Sequence, residues 1–161
     1  MNTTKTNILT KINILILLRF GLLLSLAVLA PLFGNQIVSG PIVNAVLFIS
    51  VFIVGIRGAV LIAFTPSLIA LSTGLLPLVL ALMIPFIIMG NIILVLSFYH
   101  LRSKNYWLGV ISASLFKFIF LFSASSIISS KLAVMMGWPQ LLTALAGGLI
   151  AYFVLKSFRE I

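Results

Sequence analysis

Six long apolar stretches constrain the fold of this 161-residue chain more than any other feature of its sequence. Each is close to the roughly 20 apolar residues that an α-helix needs to cross the hydrocarbon core of a bilayer. A helix satisfies its own backbone hydrogen bonds, which lipid cannot do. We therefore expect an all-α, polytopic membrane protein, a single domain of six transmembrane helices over residues 1–161. The expected spans are 12–33, 38–55, 58–74, 80–99, 106–129 and 138–156.

The composition fits a membrane protein, because only 7 % of the residues are charged whereas soluble domains carry about 25 %. The net charge of +9 arises from ten Lys and Arg residues against one acidic residue, Glu160. In a soluble protein such an excess would suggest nucleic acid as a partner. Here the placement of the charges along the chain explains it better, so we expect contact with the lipid bilayer and no nucleic acid.

The basic residues predict the orientation of the helices. With both termini in the cytoplasm, only Lys131 of those outside the spans faces the exterior, as the positive-inside rule requires. Joining the third and fourth spans would instead place Arg102 and Lys104 outside, which supports an even count of six. The residues assigned to the cytoplasmic side are Lys5, Lys11, Arg57, Arg102, Lys104, Lys156 and Arg159.

The side chains that most enzymes require are absent from the sequence. Glu160 is the sole carboxylic side chain, which excludes a pair of carboxylates acting as acid and base. There is no cysteine, and the single histidine, His100, falls at the cytoplasmic edge of the fourth span. The chain lacks the GxxxxGK[ST] motif of ATP hydrolysis and has no intramembrane carboxylate for proton coupling. We expect no catalytic residues, no enzymatic activity, no metal site and no cofactor.

Lys117 lies near the middle of the fifth apolar stretch, about 17 Å from its start and 18 Å from its end by helical rise. An ammonium at that depth costs about 2.5 kcal/mol or more, so it should face protein, a cavity or a ligand. Two interpretations remain open from the sequence. Lys117 either bonds to carbonyls and hydroxyls as a structural contact between helices, or binds a solute.

Several neutral polar side chains accompany Lys117 at membrane depth. The expected topology places Asn44, Gln140 and Thr143 in the outer half and Asn91 nearer the centre, with Lys117. Any one of them alone is most simply a hydrogen-bonding contact between helices, worth about 0.6 kcal/mol. The whole set around a buried cation predicts an outward-opening pocket for a small polar solute. A lone ammonium favours a solute with a carboxylate, a phosphate or a strongly polar carbonyl group, and disfavours free divalent cations.

Five stretches together give the chain a family resemblance. They are GPIVNAVLFIS at 40–50, TPSLIA at 65–70, MIPFIIMGN at 83–91, KFIFLF from Lys117, and WPQLLTALAGG at 138–148. With them the chain resembles the substrate-binding (S) components of energy-coupling factor transporters, small six-helix proteins that capture vitamins, their precursors or metal ions. More narrowly, it is similar to a branch sometimes labelled as an iron-hydrogenase-associated membrane protein, although no residue here could ligate an iron–sulfur cluster.

The resemblance implies partners and a location. It implies a transmembrane coupling subunit, two ATP-binding-cassette ATPases and a vitamin-like solute, in a multi-pass protein of the prokaryotic plasma membrane. In that family the first helix contacts the coupling subunit through two small residues four apart. Gly21 and Ser25 are the nearest match here and are the expected partner contact.

An alternative function of another class also fits these features. A small apolar bundle without catalytic groups can serve as a membrane anchor or scaffold for a larger complex, for example a redox complex. The sequence therefore leaves two hypotheses, of which substrate capture explains the intramembrane lysine and its polar neighbours better.

Overall fold

The computed structural model describes residues 2–74, 81–158 and 160–161, with side chains from residue 14 onward. These residues form seven α-helices and one short 3₁₀ helix (Ala30–Phe33), and they contain no β-strand. The α-helices are α1 (Asn2–Leu29), α2 (Gln36–Ile53), α3 (Gly55–Ser72), α4 (Ile84–Leu101), α5 (Tyr106–Ile128), α6 (Ser130–Met136) and α7 (Trp138–Ser157).

The predicted all-α fold with six membrane spans is confirmed. Six helical stretches within the described residues are long and apolar enough to cross a bilayer, and α6 and α7 together make the last one. Large apolar side chains cover the outside of the bundle; Ile37 is 76 % exposed and Ile127 is 87 % exposed. In water such a surface would be strongly unfavourable, whereas lipid solvates it. The chain is therefore a multi-pass membrane protein.

The second and third spans meet more tightly than the sequence suggested, because α3 begins at Gly55 rather than at residue 58. Gly55 has a φ of +74°, a left-handed conformation that favours glycine, and it allows the chain to reverse directly after Val54. Arg57 consequently lies in the first turn of α3, with its side chain exposed. The expected boundary between these spans was wrong by about one helical turn.

The segment before the last span was also predicted differently. We expected residues 130–137 to form a connection, but Ser130–Met136 form the helix α6. Its Leu132 and Met136 side chains pack with Met83 and Leu121 in a small second core. Gly137 separates α6 from α7, and Pro139 occupies the first turn of α7. Two other predictions lie partly outside the described residues. They concern residue 80 of the fourth span and the side chains of Lys5, Lys11 and Arg159.

The main core lies in the half of the bundle that contains the Val54–Gly55 turn and the loop at 102–105. It is built by α1, α2, α3, α4, α5 and α7. The Phe48 and Phe98 rings meet edge to face with centroids 4.7 Å apart, an arrangement worth about 0.5–1.5 kcal/mol beyond area burial. The Tyr106 hydroxyl donates to the Gly148 carbonyl at 2.7 Å and joins α5 to α7. Close packing of apolar and aromatic side chains therefore fills the interior of this half of the bundle.

Gly147 is a point of close approach between α7 and α2, and substituting it should destabilise the bundle. A Cβ atom there would lie 2.8 Å from the Pro41 carbonyl oxygen and 2.8 Å from the Ala45 nitrogen. Because backbone atoms cannot rotate away, Gly147→Ala should lower the free energy of unfolding by about 1–3 kcal/mol. The matched control is Gly21→Ala, since no atom lies within 4 Å of a Cβ at Gly21. The measurement is the melting temperature of each variant in detergent. Equal melting temperatures for Gly147→Ala and Gly21→Ala would contradict this packing.

Candidate functional site

A cleft of about 300 Å³ lies in the half of the bundle opposite the main core. It is formed where α1 and α3 end and where α2, α4 and α7 begin, with the middle of α5 at its floor. Residues at the rim such as Gly34 and Met135 are exposed, whereas those at the floor are buried. The lining residues are Pro31, Gly34, Gln36, Ser39, Gly40, Val43, Asn44, Pro66, Ser67, Ala70, Ile87, Asn91, Lys117, Met135, Met136 and Gln140.

Lys117 is held at the floor of the cleft by two asparagines from different helices. Its Nζ donates to Asn44 Oδ1 at 2.7 Å and to Asn91 Oδ1 at 2.8 Å. All three residues are almost fully buried, with 2–3 % of their surface exposed. The lysine therefore links α2, α4 and α5, and the sequence prediction that it faces protein or a cavity instead of bare lipid agrees with this geometry.

The asparagines are oriented by the backbone so that their oxygens face the lysine. Asn44 Nδ2 donates to the Gly40 carbonyl at 2.9 Å, and Asn91 Nδ2 donates to the Ala63 carbonyl of α3 at 3.3 Å. Because a carbonyl only accepts hydrogen bonds, each amide must present its NH₂ group there and its oxygen toward Lys117. The arrangement suits a group that only donates, which is what an ammonium is.

One donor of Lys117 is left over. An ammonium has three N–H groups, and the described residues provide acceptors for two of them. Lys117 also lines the cleft. No carboxylate side chain lies on the cleft walls, and the two acceptors that the described residues give the ammonium are neutral amide oxygens. A third acceptor with negative charge, entering from the cleft, would complete the site.

Two close helix contacts place the asparagines at this depth. Gly147 lets α7 approach α2 directly beside Asn44, as described above. Gly90, next to Asn91, lets α4 approach α5, since a Cβ at that position would lie 3.2 Å from Leu121 Cγ. A larger side chain at either glycine would shift an asparagine relative to Lys117.

The structure brings together four of the five side chains predicted to bind solute, and separates the fifth. Gln140 lines the cleft beside Met136, whose sulfur lies 3.8 Å from Gln140 Nε2. Thr143 does not line it: its Oγ1 donates to the Gln140 carbonyl at 3.1 Å and its side chain packs against Gly40. Gln140 and Thr143 thus share one face of α7, but Gln140 lines the cleft whereas Thr143 lies in the contact between α2 and α7.

Sequence reasoning missed two polar residues on the rim. Gln36 and Ser39 line the cleft from the first turns of α2; Gln36 lies before the expected start of the second span at residue 38, and Ser39 lies just inside that span. Gln36 Nε2 is buried without a hydrogen-bond partner among the described residues. The signal was present in the spacing, since residues 36, 40 and 44 are four apart and share one helix face. Ser67 of α3 also lines the cleft and is 5 % exposed.

The predicted partner contact lies away from the cleft, on the outside of the bundle. The Ser25 hydroxyl donates to the Gly21 carbonyl at 2.8 Å within α1, and Ser25 is exposed. Space around Gly21 is open. The two residues are therefore placed for contact with a molecule outside this chain, and neither contributes to internal packing.

The cleft walls carry no metal-binding side chains. Across the described part of the chain, no three His, Cys, Asp or Glu residues lie close enough to hold a metal ion together. The chemistry available in the cleft is hydrogen bonding and charge pairing through Lys117 and the amides, with apolar contact from proline, valine, isoleucine and methionine side chains.

Comparisons with family models, with curated proteins and with solved structures find no match to this chain.

Proposed function

We propose that this protein is the membrane substrate-capture subunit of an importer driven by ATP-binding-cassette ATPases, of the energy-coupling factor type. In this proposal the cleft binds a small, polar, vitamin-like solute from the outer side of a prokaryotic plasma membrane. The protein performs no chemistry on the solute. The observation that carries the proposal is the buried Lys117, which has no carboxylate partner among the described residues and lines a cleft of solute size.

The lining of the cleft favours a solute with one anionic end and an apolar body. Lys117 and the asparagines lie at the floor, where a carboxylate or phosphate oxygen would accept a hydrogen bond from the third N–H group of the lysine. Val43, Ile87 and the methionines then surround the rest of the molecule. Small-molecule sites are commonly apolar clefts of about 300–1,000 Å³ with a few placed polar groups, and this cleft of about 300 Å³ is at the small end.

The distribution of charge supports an outward orientation of the cleft. Four basic side chains near the ends of the spans lie at the end of the bundle opposite the cleft. They are Arg57, Arg102, Lys104 and Lys156. Lys131, at the start of α6, is on the cleft side. By the positive-inside rule the larger group belongs in the cytoplasm, so the cleft would open to the exterior.

Energy for uptake would come from partner proteins. The chain has neither an ATP-hydrolysis motif nor an acidic residue within its described spans. The exposed face of α1 around Gly21 and Ser25 is the surface we assign to a transmembrane coupling subunit. The scaffold alternative also needs such a surface, but in it Lys117 is only a contact between helices and the cleft above it has no role.

Purification of the tagged chain from its native membrane should distinguish the two functions. Substrate capture predicts that a transmembrane coupling protein and two ATP-binding-cassette ATPases co-purify, and that deleting the chain abolishes ATP-dependent uptake of one solute. Protein mass spectrometry identifies the partners, and accumulation of small molecules by intact cells reports uptake. Stable recovery of redox subunits without ATPases would instead support the scaffold.

A further inference from the structure

A second cleft, of about 490 Å³, lies at the opposite end of the bundle from the Lys117 cleft. It is formed at the end of α2, the end of α4 and the start of α5. The residues that line it are Phe52, Tyr99, His100, Arg102, Ser103, Tyr106 and Ile161. None of them contributes to the proposed solute site, so this cleft requires a separate explanation.

Arg102 is fixed in this cleft by stacking on aromatic rings. Its guanidinium carbon lies 4.1 Å from the centre of the Phe52 ring and 5.6 Å from the centre of the Tyr99 ring. A guanidinium that stacks through its flat face keeps its N–H groups at the edge of the plane. The contacts with the two rings therefore restrict the position of the Arg102 side chain in the cleft.

The donors of Arg102 have no acceptor in the described part of the chain. No hydrogen bond or ion pair joins its guanidinium to another described residue, the backbone carboxylate of Ile161 on the same cleft included, and no carboxylate side chain lines the cleft. Partial burial lowers the pKa of Arg102 from its ordinary value, against a smaller raising effect from Tyr99. The desolvation of this cation is thus incompletely compensated within the protein. The Tyr99 hydroxyl, on the same cleft, is a further donor.

The cleft lies at the ends of two membrane spans. Arg102 directly follows the span Ile84–Leu101 and precedes the span Tyr106–Ile128, so it lies where lipid headgroups begin. Tyr99, Trp107 and Tyr152 surround this end of the bundle, and Lys156 Nζ lies 5.7 Å from the Tyr152 ring centre. Tyrosine and tryptophan are enriched at this interface, and basic pockets between transmembrane helices bind anionic headgroups.

We propose that the Arg102 cleft is a binding site for the phosphate of an anionic phospholipid from the leaflet on the side of the loop at 102–105. The guanidinium edge donates two parallel hydrogen bonds to the phosphate oxygens, a geometry that suits arginine and phosphate. The acyl chains would extend along the exposed apolar surface of the bundle. This site does not depend on the proposed import function.

Lipid retention by the purified chain tests the proposal. The protein is transferred into nanodiscs of phosphatidylcholine with a small fraction of phosphatidylglycerol, and bound lipids are counted by native mass spectrometry. Wild type should retain phosphatidylglycerol in preference to phosphatidylcholine. Arg102→Gln should reduce that retention by about tenfold or more. The control is Lys104→Gln, an exposed cation two residues away, which should retain the lipid within about twofold by the small effect of single surface charges.

Two further arms keep the result decisive. Arg102→Lys preserves the charge but removes the planar guanidinium with its two parallel N–H donors, so intermediate lipid retention is expected. This variant replaces Arg102→Gln if the latter does not fold. Inorganic phosphate is added to wild type in phosphatidylcholine alone. If it binds there, and if it also displaces phosphatidylglycerol when added to the mixed nanodiscs, the site is one for free phosphate and the lipid assignment is wrong. Equal phosphatidylglycerol retention by wild type and both Arg102 variants would also overturn the proposal.

Discussion

Lys117→Met should weaken solute binding by about tenfold to 150-fold, because a charge-assisted hydrogen bond of about 1.5–3 kcal/mol is removed. Methionine has a similar length and keeps the apolar volume, so the cleft should retain its shape. The measurement is the dissociation constant, determined for the compound that wild-type protein releases on denaturation. Lys131→Met is the matched control, since Lys131 is an exposed lysine on the same side of the bundle that does not line the cleft. Its dissociation constant should equal that of wild type.

The same substitution also affects folding, and a second variant separates the two effects. Without Lys117, the buried oxygens of Asn44 and Asn91 lose their donor, and each unsatisfied group costs about 1–3 kcal/mol. Adding Asn91→Leu to Lys117→Met removes one of these oxygens and should recover part of the melting temperature. Binding should not recover. If the more stable double variant binds as tightly as wild type, Lys117 is only a structural contact between helices.

Gly21→Leu should prevent assembly with the coupling subunit while solute binding by the isolated chain stays unchanged. The space around Gly21 is open in the monomer, so the leucine does not disturb internal packing. A helix that approaches through a pair of small residues would instead be held away by the larger side chain. The yield of the complex with its ATPases is the quantity to measure, together with the dissociation constant of the single chain.

Ser123→Leu is the control for the assembly experiment. Ser123 is a small exposed residue on α5, and a leucine there adds the same bulk to a different outer surface. Complex yield should be normal in this variant. If Gly21→Leu gives the same yield as Ser123→Leu, the coupling subunit binds elsewhere, and the first-helix contact must be abandoned.

The number of spans was predictable because span length is set by the bilayer and not by details of packing. Apolar runs of about 20 residues leave few alternatives, and all six were recovered. Boundaries were less predictable where a special backbone conformation decides them. The left-handed Gly55 shortens the α2–α3 connection to a single turn, and the Gly137 break leaves α6 as a separate short helix. The apolar character of the residues around Gly55 and Gly137 does not by itself show where one helix ends and the next begins.

The centre of the site was predictable, but its edge was not. An isolated charge at membrane depth must find polar partners, so Lys117, Asn44 and Asn91 were expected near one another. Thr143 illustrates the limit, because its distance from the cleft is set by the close packing of Gly40 and Gly147 between α2 and α7. Whether Gln36 reaches the cleft depends on where α2 begins. Asn35 sets that start as the N-cap residue, because its side-chain oxygen accepts a hydrogen bond from Ile37 N. Helix register at that level of detail comes from tertiary contacts.

Analysis of the small molecules released from purified protein tests substrate capture most directly. The wild-type chain, purified alone in mild detergent from cells grown in rich medium, is denatured, and the supernatant is examined by mass spectrometry. The account predicts one compound near equimolar amount that carries a carboxylate, a phosphate or a strongly polar carbonyl group. The same compound should be present in equal amount with Lys131→Met and in a much smaller amount with Lys117→Met. Wild-type protein that is folded yet repeatedly empty, or a compound retained equally by all three proteins, would contradict a solute site at Lys117.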